Sequence, residues 1–309
     1  MELRKDYILD RWVIIAPKRG KRPFDFKEEQ EVFTGGECAF CPGNELQTPP
    51  EIGRFPENGD WRVRWFANKF GFVAKEGQQE IRTDNDYYTF SNAFGEHEVI
   101  VETPEHEKQL HNLSVQEIAD VLRIYSQRIQ ELSKRNKYVV IFKNHGQNAG
   151  TSLFHSHTQV AAINLIPPAL QQEVDLSHKD TCLYCQIIER EKSSLRRAFE
   201  NEDTVAFCPY ASRFNFELWL FPKRHLTALA TMTDSELVSM ASLLKQSLEK
   251  LSQLNADYNF CLHYAPVGTD LHLHIEIQPR IAKYGGFENS TGIIVNQLSP
   301  EDAAEFYRL

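Results

Sequence analysis

The sequence predicts an α+β protein made of two tandem copies of one strand–helix–strand unit, and three observations carry this reading. EVIVETPEH, ending at His106, and ELWLFPKRH, ending at His225, are each a β-branched or aromatic run, a proline turn and a histidine. Eight residues further on, at Ser114 and Thr233, each half starts a helix with a capping box, Ser114 with Glu117 and Thr233 with Glu236. Each half then closes on a β-rich run and an H-x-H, with 49 residues between His106 and His155 and 47 between His225 and His272.

Taken in order, the first half opens with a C-x-x-C, Cys38 and Cys41, and continues through the EVIVETPEH strand into the helical pattern IADVLRIYSQRIQELSKR, apolar at i, i+3, i+4 and i+7. The strand YVVIFKN follows, then NHGQNAGTSLFHSHTQV, whose glycines, serine, histidines and glutamine suit neither a helix nor a strand core. IPPALQQEVDLSHKD, near residues 165–180, reads as the linker. The second half repeats the order with Cys182 and Cys185, the ELWLFPKRH strand, the helix LVSMASLLKQSLEKLSQL, the strand YNFCLHYA and His272-Leu-His274.

Composition bounds the function. A chain of 309 residues with 41% hydrophobic and 25% charged residues is an ordinary globular protein. The net charge of −9 argues against a nucleic-acid surface, although RKDYILDRWVIIAPKRGKRP is a local basic patch. No run is apolar enough to span a membrane and MELRKDY carries no apolar leader, so the expected compartment is cytoplasmic. In a reducing compartment two C-x-x-C pairs bind metal or do redox chemistry more often than they form disulfides.

Because the pattern occurs twice, a metal explains it better than one redox pair among scattered histidines. Each half offers two thiolates and two imidazoles: Cys38, Cys41, His106 and His155, then Cys182, Cys185, His225 and His272. Such a set suits tetrahedral, structural zinc. Cys208 and Cys261 read as small buried hydrophobes. His157 is spare, on the same strand face as His155. The run from Asn144 to Ser152 has glycines that let backbone amides approach a phosphate, and Ser152 and Gln159 can donate to its oxygens. A neutral imidazole beside such a cradle can attack phosphorus or act as a general acid–base on water. His97, His111 and His178 read as surface residues, and Trp61, Trp65, Phe66, Phe70 and Phe72 as core and pocket lining.

H-S-H-T-Q preceded by N-x-G-x-x-x-G-x-S resembles the active-site signature of the galactose-1-phosphate uridylyltransferase family, the nucleotidyl-transferring branch of the histidine-triad fold. The resemblance runs over nearly the whole chain. It implies an α+β fold of two tandem histidine-triad-like domains, residues 1–168 and 169–309, each an antiparallel sheet with a long helix packed on it. It implies Arg19 and Arg22 at the nucleotide phosphates, Asn68 at the ribose, and Asn144, Gly150, Ser152 and Gln159 around the phosphate. His157 would be the nucleophile and Glu288 a sugar contact. Zinc would sit on Cys38, Cys41, His106 and His155. The implied activity moves UMP or AMP from a nucleoside diphosphate sugar to a hexose 1-phosphate or inorganic phosphate through a nucleotidyl-histidine. Gln159, where hydrolases of the superfamily carry a third histidine, favours transfer over hydrolysis. The intact set argues against a binding protein without turnover. A homodimer is implied as well.

The second half lacks the glycine cradle and has Glu276 where the first has Gln159. Two metal sets compete there. Cys182, Cys185, His225 and His272 resemble the relatives acting on ADP-glucose, and these are the favoured set for zinc. Glu173, His263 and His274, with His272, resemble the uridylyltransferase set, which could hold iron. NSTGIIVN lacks a clear counterpart of the glutamine that reads galactose, so the tail looks more like the ADP-glucose phosphorylase branch, with adenylyl sulfate a further donor option.

Overall fold

The computed structural model describes residues 2–5, 12–15, 38–177 and 182–309. In chain order the first half contributes strands β1 (Glu2–Lys5), β2 (Trp12–Ile15), β3 (Glu51–Phe55), β4 (Val63–Ala67), β5 (Arg82–Asp84), β6 (Tyr88–Asn92) and β7 (Gly95–Val101), helix α1 (Val115–Leu132), and strands β8 (Tyr138–His145) and β9 (His157–Ile163). The second contributes helices α2 (Pro168–Ser177) and α3 (Leu183–Glu191), strands β10 (Arg197–Glu200), β11 (Thr204–Phe207) and β12 (Leu218–Pro222), helix α4 (Asp234–Gln253), strands β13 (Tyr258–His263) and β14 (His274–Pro279), and helices α5 (Gly286–Thr291) and α6 (Pro300–Arg308).

The sheets of the two halves are joined. A ten-stranded antiparallel sheet runs β10-β11-β12-β14-β13-β8-β9-β7-β4-β3, and β1, β2, β5 and β6 form a separate small sheet. Reading outward from the central β13–β8 pair, each half presents equivalent strands in the same order, so the repeat in the sequence becomes an approximate two-fold relation in space. The join runs from Tyr258 opposite His145 to Leu262 opposite Ile141.

Both capping boxes form. Ser114 Oγ accepts from the Glu117 amide at 3.2 Å while Glu117 accepts from the Ser114 amide at 2.7 Å. Thr233 and Glu236 repeat this at 3.2 and 2.8 Å. Each helix buries its apolar stripe, Ile118, Leu122 and Ile129 on α1 and Leu237, Leu244 and Leu251 on α4, in one core shared with both half-sheets. The expected linker folds as α2, with Pro168 at its start, where a fixed φ and a missing N–H cost nothing, and Leu170 and Val174 on its buried side.

Strand alternation separates structure from chemistry. Val160, Ala162, Ile141, Val139 and Ile100 pack in the helix-side core, whereas Gln159, Phe142 and Val99, one residue offset, line a cavity on the opposite face. The helix side also hides charge. Arg128 makes two 2.8 Å bonds to Glu98, and Lys143 lies 2.5 Å from Glu102, with all four side chains less than a tenth exposed. The hydroxyls of Tyr125, Ser156 and Thr158 also converge on Glu102. Burial opposes the Glu102 charge, but Lys143 and the hydroxyls of Ser156 and Thr158 hold its pKa below the usual carboxylate value. Nothing local in GEHEVIVE marks its glutamates as buried, because their partners Arg128 and Lys143 lie far along the chain.

Candidate active site and metal centres

Cys38, Cys41, His106 and His155 converge, their ligand atoms all within 4.8 Å of one another. Cys41 Sγ lies 3.5 Å from His106 Nδ1 and Cys38 Sγ 3.6 Å from His155 Nδ1. Two ligands of tetrahedral zinc, one sulfur and one nitrogen, stand about 3.6 Å apart, so the spacing fits that ion. The protonation pattern fits as well. His155 Nε2 sits 2.7 Å from the Thr103 carbonyl, which can only accept, so Nε2 carries the proton and the Nδ1 lone pair faces the thiols. Burial and the neighbouring Cys38 push Cys41 up to about 11, an environment in which a dication is what ionises paired thiols.

Cys182, Cys185, His225 and His272 form an equivalent cluster. His225 Nε2 is 2.7 Å from Asp270 and His272 Nε2 is 2.9 Å from the Pro222 carbonyl, again leaving Nδ1 toward the sulfurs. Glu173, His263 and His274 form a separate group, without His272. The two sets that compete in the sequence are therefore distinct in space. Cys208 is fully buried, as expected, but Cys261 is not merely a small hydrophobe: its Sγ lies 3.3 Å from His263 Nε2, in a further cluster with Glu276.

His157 begins β9 at the edge of a cavity of about 560 Å³. Phe40, Phe66, Phe70, Phe72 and Phe142 line it, whereas Trp61 and Trp65 are core. His157 Nδ1 donates to its own neighbour's carbonyl, His155 O, at 2.8 Å, so the lone pair lies on Nε2. Phe40, inside the C-x-x-C, packs edge-on against the ring at 5.3 Å between centroids. Burial first, and then the Lys143 charge, push His157 down to about 4, which keeps it neutral near neutral pH. Lys143 Nζ also donates to the His157 carbonyl at 3.0 Å.

Asn144, Gly150, Ser152 and Gln159 line the same cavity, as does Asn68. The loop between Asn144 and Ser152 takes positive φ at Gly146 and Gly150, +83° at each. At Gly146 a Cβ would fall 1.7 Å from an Asp257 carboxylate oxygen. That carboxylate accepts from the Asn148 amide and side chain at 2.7 and 2.8 Å. Asn259 donates to Asn144 Oδ1 and to the Ala149 carbonyl, both at 2.9 Å. Asp257 and Asn259 belong to the second half, so that half braces the cradle of the first. Nothing in their local sequence signals it, because the contact depends on the β13–β8 join.

His97 is not a surface residue. It is 6% exposed, and its Nε2 lies 3.1 Å from Gln159 Oε1 and 3.2 Å from Asn68 Nδ2. The polar stretch GEHE suggested exposure; the strand turns this residue onto the cavity face. His111 is half-buried, and burial lowers its pKa. Arg19, Arg22 and His178 lie outside the described residues. Glu288 does not line the cavity of His157. It caps α5, accepting from the Gly285 amide at 2.9 Å, and lines another cavity with Arg213 and Tyr284.

The second half repeats the histidine geometry without the opening. His274 Nδ1 bonds the His272 carbonyl at 2.8 Å, as His157 does His155. His274 is nevertheless fully buried, stacked on Phe221 at 4.6 Å and packed by Tyr184 at 5.0 Å. Glu276 is held by Arg213 at 2.7 Å.

Comparison with known proteins places this geometry. Residues 1–167 match the family model described as galactose-1-phosphate uridyl transferase, N-terminal domain. The chain is 32% identical to the ADP-glucose phosphorylase of Arabidopsis thaliana, over 99% of this chain and 92% of that one. It is 26% identical to the galactose-1-phosphate uridylyltransferase of Thermotoga maritima, over 100% and 98%. A crystal structure of the Arabidopsis thaliana ADP-glucose phosphorylase with bound ADP-glucose superposes with a TM-score of 0.79 at 31% identity, covering 100% of this chain and 99% of that one. A uridylyltransferase structure gives 0.81 at 28% identity, covering 100% and 97%.

Proposed function

The chain belongs to the galactose-1-phosphate uridylyltransferase family and is a nucleotidyltransferase, and on that premise we propose that it transfers UMP or AMP by double displacement through His157. The observation that carries the reading is the His157 tautomer: a buried, neutral ring with its Nε2 lone pair beside a cavity lined by Gln159, Ser152 and the glycine loop. In the first step Nε2 attacks the α-phosphorus of a nucleoside diphosphate hexose. The N–P bond forms as the P–O bond to hexose 1-phosphate breaks, and the electron pair leaves on the departing phosphate oxygen. A second phosphate, hexose 1-phosphate or inorganic phosphate, then attacks the phosphoramidate and returns His157 to its starting form. Gln159, Ser152 and the loop amides would stabilise charge on the phosphoryl oxygens, with Arg19 and Arg22 from the basic segment. Asn68 would hold the ribose.

The 32% identity with an ADP-glucose phosphorylase supports AMP transfer from ADP-glucose to inorganic phosphate as the second reading. Zinc is the metal we assign to both thiolate clusters, whose ligands and carbonyl-fixed tautomers suit it. Bound there, it ties each C-x-x-C loop to the H-x-H turn. The working form we propose is a homodimer in the cytoplasm, in which Glu288, outside the cavity of His157 in its own chain, would contact the sugar bound by the second copy.

Intact-protein mass spectrometry after incubation with UDP-glucose, ADP-glucose or adenylyl sulfate, each without acceptor, tests this. An adduct of UMP or AMP mass, absent from His157→Ala, is expected and names the nucleotide. No adduct from any donor, or one that survives the substitution, overturns the mechanism.

A further inference from the structure

Gln159 can turn either its oxygen or its NH2 toward a bound phosphoryl group, and only the NH2 can stabilise negative charge there. We propose that His97 is the positioning residue that sets this choice, acting with Asn68, so that one directed donor faces an oxygen of the reacting phosphoryl group. The inference rests on the nucleotidyl-transfer reading above.

The orientation follows from the donors available. The Phe70 amide donates to Asn68 Oδ1 at 2.9 Å, which fixes the Asn68 carboxamide with Nδ2 pointing inward. That Nδ2 lies 3.2 Å from His97 Nε2 and 3.5 Å from Gln159 Oε1. His97 Nε2 lies 3.1 Å from the same Gln159 oxygen. With a proton on Nε2, His97 donates to Gln159 Oε1 directly. A bare Nε2 would set two acceptors 3.1 Å apart, and turning Gln159 over would set its NH2 against Asn68 Nδ2. The Nε2-protonated tautomer is the one that fits, and it engages the oxygen of Gln159 and leaves its NH2 to the cavity.

The positioning group is itself held. His97 stands diagonally across the β7–β9 ladder from Gln159, since Val99 pairs with Gln159 and His97 with Ala161. Its ring lies against Phe72 at 4.4 Å between centroids, and its carbonyl accepts from the Asn68 amide at 2.7 Å. A Cβ on Gly71 would already come within 3.3 Å of His97 Cβ, so the backbone of the 68–71 turn closes over this side chain. As the N–P bond forms and the P–O bond breaks, charge grows on two non-bridging oxygens that are stereochemically distinct. A carboxamide fixed from one side serves one of them.

The test uses rapid-quench measurement of adduct formation with whichever of UDP-glucose and ADP-glucose labels the wild type, and with its Rp and Sp α-phosphorothioate forms. His97→Ala is expected to slow adduct formation about tenfold or more with little change in donor affinity, a loss of the size a misaligned donor produces. It should shrink the Rp/Sp rate ratio to that of Gln159→Ala, and His97→Ala with Gln159→Ala should be no slower than Gln159→Ala alone. His97→Gln, which retains a donor, should recover much of the rate and the ratio, and carries the test if the alanine variant unfolds. An unchanged Rp/Sp ratio, or multiplicative effects in the double variant, overturns the role of His97 while leaving nucleotidyl transfer standing. A wild type that forms no adduct overturns both.

Discussion

His155 and His157 are two residues apart and take opposite tautomers, each dictated by a carbonyl. The Thr103 carbonyl takes the Nε2 proton of His155, which turns Nδ1 to the thiols, and the His155 carbonyl takes the Nδ1 proton of His157, which leaves Nε2 for the cavity. One H-x-H thus turns one lone pair to the thiols and the other to the cavity. The spacing was legible in the sequence; the tautomers depend on carbonyls placed by the fold. Gly146 is comparably exposed to its surroundings, with positive φ and an Asp257 oxygen 1.7 Å from where a Cβ would stand. Gly146→Ala is expected to cost about 1–3 kcal/mol by urea unfolding and to slow adduct formation, because Asp257 must withdraw from Asn148. Wild-type stability together with a wild-type rate would show that the loop is not braced this way.

At the scale of elements, the caps and stripes of α1 and α4 were readable because the interactions are local. Glu236 in the α4 capping box also accepts from Arg224 at 2.8 Å, and that partner, with the Thr233 amide, holds its pKa at about 2. A folded pKa depressed from 4.5 contributes stability that is complete above the ordinary value and lost as pH falls through about 2. Glu236→Gln is therefore expected to lower stability by about 1 kcal/mol at neutral pH, discounted for the exposed Arg224, with the difference from wild type closing in strong acid. Urea titrations across that range check it, and a difference independent of pH would count against the assignment. By contrast, α2 was read as linker because IPPALQQEVDLSHKD carries turn residues, and its helix forms where Leu170 and Val174 find a core.

At the scale of the whole molecule, the second half serves the first. Its β13 completes the sheet and its Asp257 and Asn259 hold the cradle, while its own H-x-H is sealed under Phe221 and Tyr184. If zinc occupies both thiolate clusters, Cys182→Ser should halve the zinc content by elemental analysis and lower the melting temperature, yet still permit adduct formation at His157. Unchanged metal content would remove Cys182 from the ligand set. Full loss of the adduct in a folded variant would mean that the second cluster acts in the chemistry itself.

The linear sequence determined what is carried by spacing and local chemistry: two repeats, two capped helices, paired C-x-x-C and H-x-H elements, and a glycine-rich run before His157. Tertiary structure decided which surfaces meet. It merged the half-sheets, buried Lys143 against Glu102, separated Glu173, His263 and His274 from the thiolate cluster, and turned His97 from an apparent surface residue into a neighbour of Gln159. Strand pairing brings together residues far apart in the chain, and a period of two assigns each side chain to one face only after the register is set. That is why His157 could be singled out from residues 144–160, and the groups that hold it in place could not.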